Sequence, residues 1–138
     1  MKTRSNFPPG AAYRIERLQE GIAAVLFFEN IEGATGEENT YEYDEYRVEV
    51  PYRETLAEEI EKNFDIWLTF ARDEEIKRLA NGARDKRNRL LAECDWTQTV
   101  DSPLSNEQKA AWATYRQALR DVPEQPGFPY DIKWPERP

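Results

Sequence analysis

Histidine is absent from this 138-residue chain, and cysteine and methionine occur once each. Without histidine there is no Ser-His-Asp or Cys-His machine and no imidazole ligand for a metal. One cysteine, Cys94, cannot form an internal disulfide, and the chain reads as one made for a reducing compartment. Long apolar runs are also lacking: the longest, Ile22–Phe28, is far too short to span a bilayer. The opening MKTRSNFPPG has no apolar stretch of the kind a secretory signal needs. These absences point to a soluble cytoplasmic protein without membrane partner, cofactor or metal.

Positive charge is in short supply as well. Lys and Arg total 19 against 27 Asp and Glu, a net charge of −8. The imbalance is −5 over residues 1–50, −2 over 51–95 and −1 over 96–138. An acidic surface repels a phosphate backbone, so nucleic acid is not an expected partner. Hydrophobic residues at 39% suffice for a modest core, within one domain or a small domain with an appendage.

Along the chain, residues 1–10 read as an irregular lead because of Pro8-Pro9-Gly10. Ala12–Gln19 reads as a strand, Glu20-Gly21 as a tight hairpin turn and Ile22–Asn30 as a second strand. That second strand is apolar at both parities, the pattern of a central strand covered on both faces. Glu32–Asn39 reads as an acidic loop. In the NTYEYDEYRVEVPY stretch that follows, Tyr41 and Tyr43 share one parity, and Tyr46, Val48 and Val50 share the other. A β-bulge near Asp44-Glu45 would restore a common face. A three-stranded antiparallel β-meander over 1–52 is the simplest topology.

From Glu54 the apolar period changes to three and four residues, marking helix over 53–93. Breaks are conceivable at Asn63, Arg72-Asp73 or Asn81-Gly82; two helices, 53–71 and 74–93, are the preferred division. Ser105 and Gln108 stand as a capping box for a further helix ending at Arg120-Asp121, before Pro123. The tail PEQPGFPYDIKWPERP should then run extended over the surface, held by Phe128, Tyr130, Ile132 and Trp134. The fold class expected is α+β: meander, two to three helices, and a Pro/aromatic-rich tail.

Few constellations could carry chemistry. Cys94 sits beside Glu93 and Asp95, neighbours that raise a thiol pKa and oppose nucleophile activation. Adjacent carboxylates such as Glu58-Glu59 and Glu74-Glu75 read as solvated surface, although a small carboxylate-dependent hydrolase needs just such pairs converging in a cleft. Gly33-Ala34-Thr35-Gly36 lacks the GK[ST] ending of a phosphate loop and lies among glutamates, so it reads as a hairpin loop. Lys77, Arg78, Arg84, Lys86, Arg87 and Arg89 form the basic cluster. It reads as a salt-bridged, solvated helix face, or as a docking face for an acidic partner or for the acidic sheet of a second copy, which would make a homo-oligomer.

The last 49 residues, LLAECDWTQTVDSPLSNEQKAAWATYRQALRDVPEQPGFPYDIKWPERP, hold three of the four tryptophans and six of the nine prolines. A helix end at DWTQ, a Pro/Ser entry, a helix ending ALRD, then PEQPGFP and WP follow in one register. That order closely resembles the C-terminal module of phage tail assembly chaperone proteins, also present in tail-fibre assembly proteins. Cys94 departs slightly from the family, whose members usually have serine before Asp-Trp.

The resemblance divides the chain into a meander (1–52), a helical region (53–93) and a module (94–138). It implies a phage or prophage protein, not an enzyme, that binds a tail or tail-fibre protein as client in the host cytoplasm. A structural component of the virion tail is the alternative. No family active site transfers. Trp96, Arg116, Phe128 and Trp134 are the residues expected to bind protein, while the same aromatics could equally staple the proline-rich tail onto the last helix.

Overall fold

The computed structural model describes residues 1–6, 8–33 and 40–138. Of the loop expected over Glu32–Asn39, Glu32 instead ends a strand, and residues 34–39, including most of the Gly33–Gly36 turn, lie outside the described residues. Four strands, β1 (Lys2–Ser5), β2 (Tyr13–Arg17), β3 (Ile22–Glu32) and β4 (Tyr41–Pro51), form an antiparallel sheet in the order β1-β4-β3-β2. Three helices follow: α1 (Leu56–Lys62), α2 (Phe64–Glu93) and α3 (Asn106–Arg120). The chain divides into two compact units, Met1–Glu75 and Ile76–Pro138. Among the described residues no helix is long and apolar enough to cross a membrane.

The meander is present, but the sheet has a fourth strand. Residues 2–5, expected to be irregular, pair with β4 as Lys2↔Asp44 and Arg4↔Glu42, the latter an ion pair of 2.6 Å. Pro8 and Pro9 lie beyond the strand and do not interrupt it. A four-residue charged strand suits a sheet edge, where apolar side chains would invite unwanted pairing. At the other end, Glu20 (φ 65°) and Gly21 (φ 73°) form the expected turn in left-handed backbone, closed by Leu18 N–H donating to Ile22 O at 2.8 Å. Glycine takes that conformation freely.

β3 is the central strand, buried at both parities from Ala23 to Phe28. Ala23, Val25 and Phe27 pack with Leu56, Ile60, Leu68 and Ala71 of α1 and α2, and with Tyr46, Val48 and Val50 of β4. The opposite face holds Ala24, Leu26 and Phe28 with Tyr43. Its flanking positions are Arg14 and Glu16 on β2 and Arg47 and Glu49 on β4, each couple an ion pair of 3.0 Å, and Arg14 lies 5.7 Å from the Phe28 ring centroid. The parity shift in β4 therefore distributes its side chains between two real faces.

No bulge is needed at Asp44-Glu45, and none is found there. The register slips on β3 instead: Glu29 faces Asp44 and Glu32 faces Glu42, so β3 carries one extra residue. Asn30 absorbs the slip at φ 48° and donates its Nδ2–H to Asp44 Oδ2 at 2.8 Å. Asparagine tolerates that backbone because its short amide bonds locally.

Of the three conceivable helix breaks, not the preferred division at Arg72-Asp73 but the first is the one present. It lies at Asn63 (φ −135°, ψ 41°), and α2 runs unbroken through Arg72-Asp73 and Asn81-Gly82. Asn63 Nδ2–H reaches the Glu59 carbonyl at 3.4 Å, while its own carbonyl accepts Ile66 and Trp67 N–H. One residue thus closes α1 and opens α2. Gly82 meets nothing that a Cβ would touch, and a lone helical glycine costs only about 1 kcal/mol.

The entry to α1 is fixed by charge. Arg53 Nε–H donates to Glu59 Oε1 at 2.8 Å and Thr55 Oγ1–H to the same oxygen at 2.7 Å. These bonds hold the Glu59 carboxyl down at about 2, Arg53 being the larger cause. A depressed carboxyl stabilises the fold above its unfolded pKa, and the contribution fades as pH falls from about 4.5 towards 2. Arg53→Met is expected to return the Glu59 titration midpoint towards 4.5, read by carboxyl NMR.

Candidate functional site

The unit Ile76–Pro138 is built around α3. Ser105 caps it as expected: its Oγ accepts Gln108 N–H at 3.2 Å, and its own N–H donates to Gln108 Oε1 at 2.9 Å. The spacing of Trp112, Tyr115 and Leu119 places them on one face of α3, and all three are buried with Cys94 against Leu90, Leu91, Leu104 and Trp134. The Trp112 and Tyr115 rings meet edge-on at 5.7 Å. The helix burying its own tryptophan is the stapling arrangement that aromatic and proline surfaces favour.

Asp95–Gln98 is a 3₁₀ turn joining α2 to the approach to α3. Thr97, fully buried, donates Oγ1–H to Cys94 O at 2.7 Å, and Gln98 Nε2–H bridges to Lys109 O at 3.2 Å. Arg116 reaches this turn from α3. Its Nη1–H groups donate to Leu91 O at 2.8 Å and Cys94 Sγ at 3.2 Å, and Nη2 pairs with Asp95 Oδ1 at 2.7 Å. Burial opposes the charge, but the bonds to Cys94 and Asp95 outweigh it and raise the guanidinium pKa.

After α3, Val122–Glu124 forms a short 3₁₀ turn and the chain keeps turning through residue 130. The expected extended run is thus folded in its first half and lacks regular structure only from 132 on. Asp131 N–H closes the turn on Gly127 O at 2.7 Å, so tightly that a Cβ on Gly127 would lie 2.3 Å from Asp131 O. Only glycine permits that approach. Phe128-Pro129 is a cis peptide bond. Gln125 then ties down the end: Nε2–H donates to Lys133 O and Oε1 accepts Lys133 N–H, both at 2.9 Å.

Two members of the basic cluster have a use that charge alone does not show: Arg84 lies 5.5 Å from the Phe128 ring centroid and Lys86 4.2 Å from that of Trp134. From the tail itself, Arg137 lies 5.1 Å from the ring centroid of Trp112 on α3. Cations over aromatic faces contribute about 0.5–1 kcal/mol each at exposed sites. Nothing in the separate spacing of the cluster and of the tail aromatics pairs them, since they lie some forty residues apart.

The four expected binding residues therefore occupy different settings. Trp96 is 46% exposed on the 3₁₀ turn, its ring 6.3 Å from Trp112. Phe128 and Trp134 are half-buried, and Arg116 faces inward with 11% of its side chain exposed. In this unit Val100 is fully exposed, and Tyr130, expected to help hold the tail down, is itself exposed. Their sequence surroundings carry no distinguishing pattern.

Carboxylates do not converge as a hydrolase would require. Among the described residues Glu75 is the one buried acid, and its partner is the Met1 ammonium at 2.9 Å. A cavity of about 170 Å³ lined by Lys2, Asn30, Glu32, Glu42, Tyr43 and Asp44 is open at the sheet edge. No group of three or more Cys, Asp or Glu among the described residues is placed to hold a metal.

The unit Ile76–Pro138 is thus a small helical body closed by an aromatic and proline tail, with Trp96, Val100 and Tyr130 left at its surface. Residues 80–138 match the model of the phage tail assembly chaperone protein family, beginning ten residues before the stretch whose motifs carry the resemblance. The match covers less than half of the chain and supports a role in phage tail assembly. No curated protein and no solved structure matches the chain.

Proposed function

We propose that the protein is a phage tail assembly chaperone that binds a tail or tail-fibre protein through its C-terminal unit. The observation that carries this reading is the coincidence of two independent boundaries: the family match spans 80–138 and the compact unit spans Ile76–Pro138. The family relationship therefore concerns a unit with its own packed core. Binding falls to the surface around Trp96 and Val100, where an indole and a valine face solvent and Trp112 lies against the indole. Phe128 and Trp134 shape the rim through the folded tail, and Arg116 acts as a positioning residue by fixing the turn that bears Trp96.

Such a chaperone would cover an apolar segment of its client in the host cytoplasm until assembly, without catalysis or cofactor. Co-expression of the full chain with tail and tail-fibre proteins of the same phage, followed by affinity capture, tests this. Trp96→Ala should lower recovery of the client about tenfold or more, since exposed aromatic anchors dominate interface energy. Trp134→Ala should lower it less. Unchanged recovery with both would sink the assignment of this surface, and the protein's presence in purified particles would favour a virion component.

A further inference from the structure

β2 is the outermost strand of the sheet on its side. Leu18 N–H bonds Ile22 O and Phe28 N–H bonds Ala12 O, which brackets the β2–β3 ladder. By the alternation of antiparallel pairing, Arg14 and Glu16 exchange bonds with Leu26 and Ala24. The N–H and C=O groups of Tyr13, Ile15 and Arg17 consequently point away from β3, and none has another partner among the described residues. An edge of this kind is a template for a further strand.

We infer that the occupant is β2 of a second copy, giving a two-fold dimer with one continuous eight-stranded sheet. The side chains select both partner and register. With the two-fold axis through Ile15, Tyr13 pairs with Arg17 of the partner subunit and Ile15 with its own equivalent, so all outward groups of three residues are satisfied in six bonds. Arg14 then stands directly opposite the partner subunit's Glu16, and Glu16 opposite the partner's Arg14. Both side chains are largely exposed (59% and 43%) and lie on the sheet face away from α1.

Moving the axis by one residue keeps the outward groups paired but sets Arg14 against Arg14, or Glu16 against Glu16. Opposite charges across strands stabilise a pair and like charges destabilise it, so one register is complementary and its two neighbours are penalised. Leu18, exposed at 39%, falls opposite Ala12 of the partner subunit and is covered as well. The inference concerns the first unit and is independent of what the C-terminal unit binds.

Charge exchange tests it on the full chain. Sedimentation and light scattering should show a species of twice 16.2 kDa at concentrations of about 100 µM. Glu16→Arg and Arg14→Glu should each weaken the dimer about tenfold or more, with circular dichroism unchanged. Mixing the two variants should produce a heterodimer, because each arginine then meets a glutamate. A monomeric wild-type protein, a dimer indifferent to both substitutions, or variants that remain monomeric when mixed would each overturn the proposal.

Discussion

Arg116→Ala is expected to lower the unfolding free energy of the C-terminal unit by about 1–3 kcal/mol, because it removes charge-assisted hydrogen bonds to half-buried acceptors together with the packing of the arginine stem. The guanidinium serves Leu91 O, Cys94 Sγ and Asp95 at once, joining the end of α2 to the 3₁₀ turn. Asp95 is 66% exposed and water replaces its partner readily, and Leu91 O keeps Cys94 N–H as a partner, so the loss comes mainly from the charge-assisted bond to Leu91 O and the packing of the arginine stem. Arg116→Lys should recover only part of the stability, since one ammonium lacks the planar fork that spans three acceptors. Urea unfolding followed by tryptophan emission reads the effect directly, with three of the four indoles in this unit. A loss below about 0.5 kcal/mol, the range of ordinary surface substitutions, would contradict the role given to the bridge.

Phe27→Ala should cost about 3–5 kcal/mol in the first unit, the largest effect of any single truncation there. The ring is fully buried, 5.8 Å from Phe64 and 6.3 Å from Tyr13, and faces Tyr46 across the sheet. Its removal leaves a cavity bordered by sheet on one side and helix on the other, neither of which can collapse without breaking ladder bonds. Domains of this size are stable by only about 5–15 kcal/mol, so a thermal midpoint lowered by several degrees is the expected readout. Phe27→Leu keeps most of the volume and should cost clearly less.

Those two sites differ in how readily the sequence discloses them. β3 is legible because apolar residues at both parities have one explanation, a strand covered on both faces. The capping box at Ser105 and the turn at Glu20-Gly21 are legible because the signal is local and the chemistry that makes it is local too. β1 is not, since a four-residue strand draws its identity from Asp44 and Glu42 forty residues away. The bulge was assigned to the wrong strand for a related reason: a parity change in β4 reads the same whether a residue is inserted or two faces are filled. Asn63 prevailed over the other helix breaks by bonding in both directions, which no apolar period records.

At the candidate site, the order of the motifs identified the C-terminal segment, and the helix face of Trp112 was readable from spacing. The placement of Arg84 and Lys86 over the tail aromatics, and of Arg137 over Trp112, was not, because cation and ring are distant in sequence and carry no periodic mark. Exposure of Val100 and Tyr130 was equally hidden. A side chain's accessibility depends on what fails to cover it, which spacing alone cannot express.

The central position of β3 has a last consequence. Ile22–Phe28 is a seven-residue stretch without charge or proline and rich in β-formers, the composition of segments that stack into dry, cross-β fibrils. Native pairing occupies both of its edges, and the Arg14-Glu16 and Arg47-Glu49 couples act as gatekeepers along the face opposite α1. Once the first unit opens, that protection vanishes in a single event. Heat should therefore end in precipitate instead of a reversible return, and the endurance of this protein is governed by how slowly its sheet comes apart.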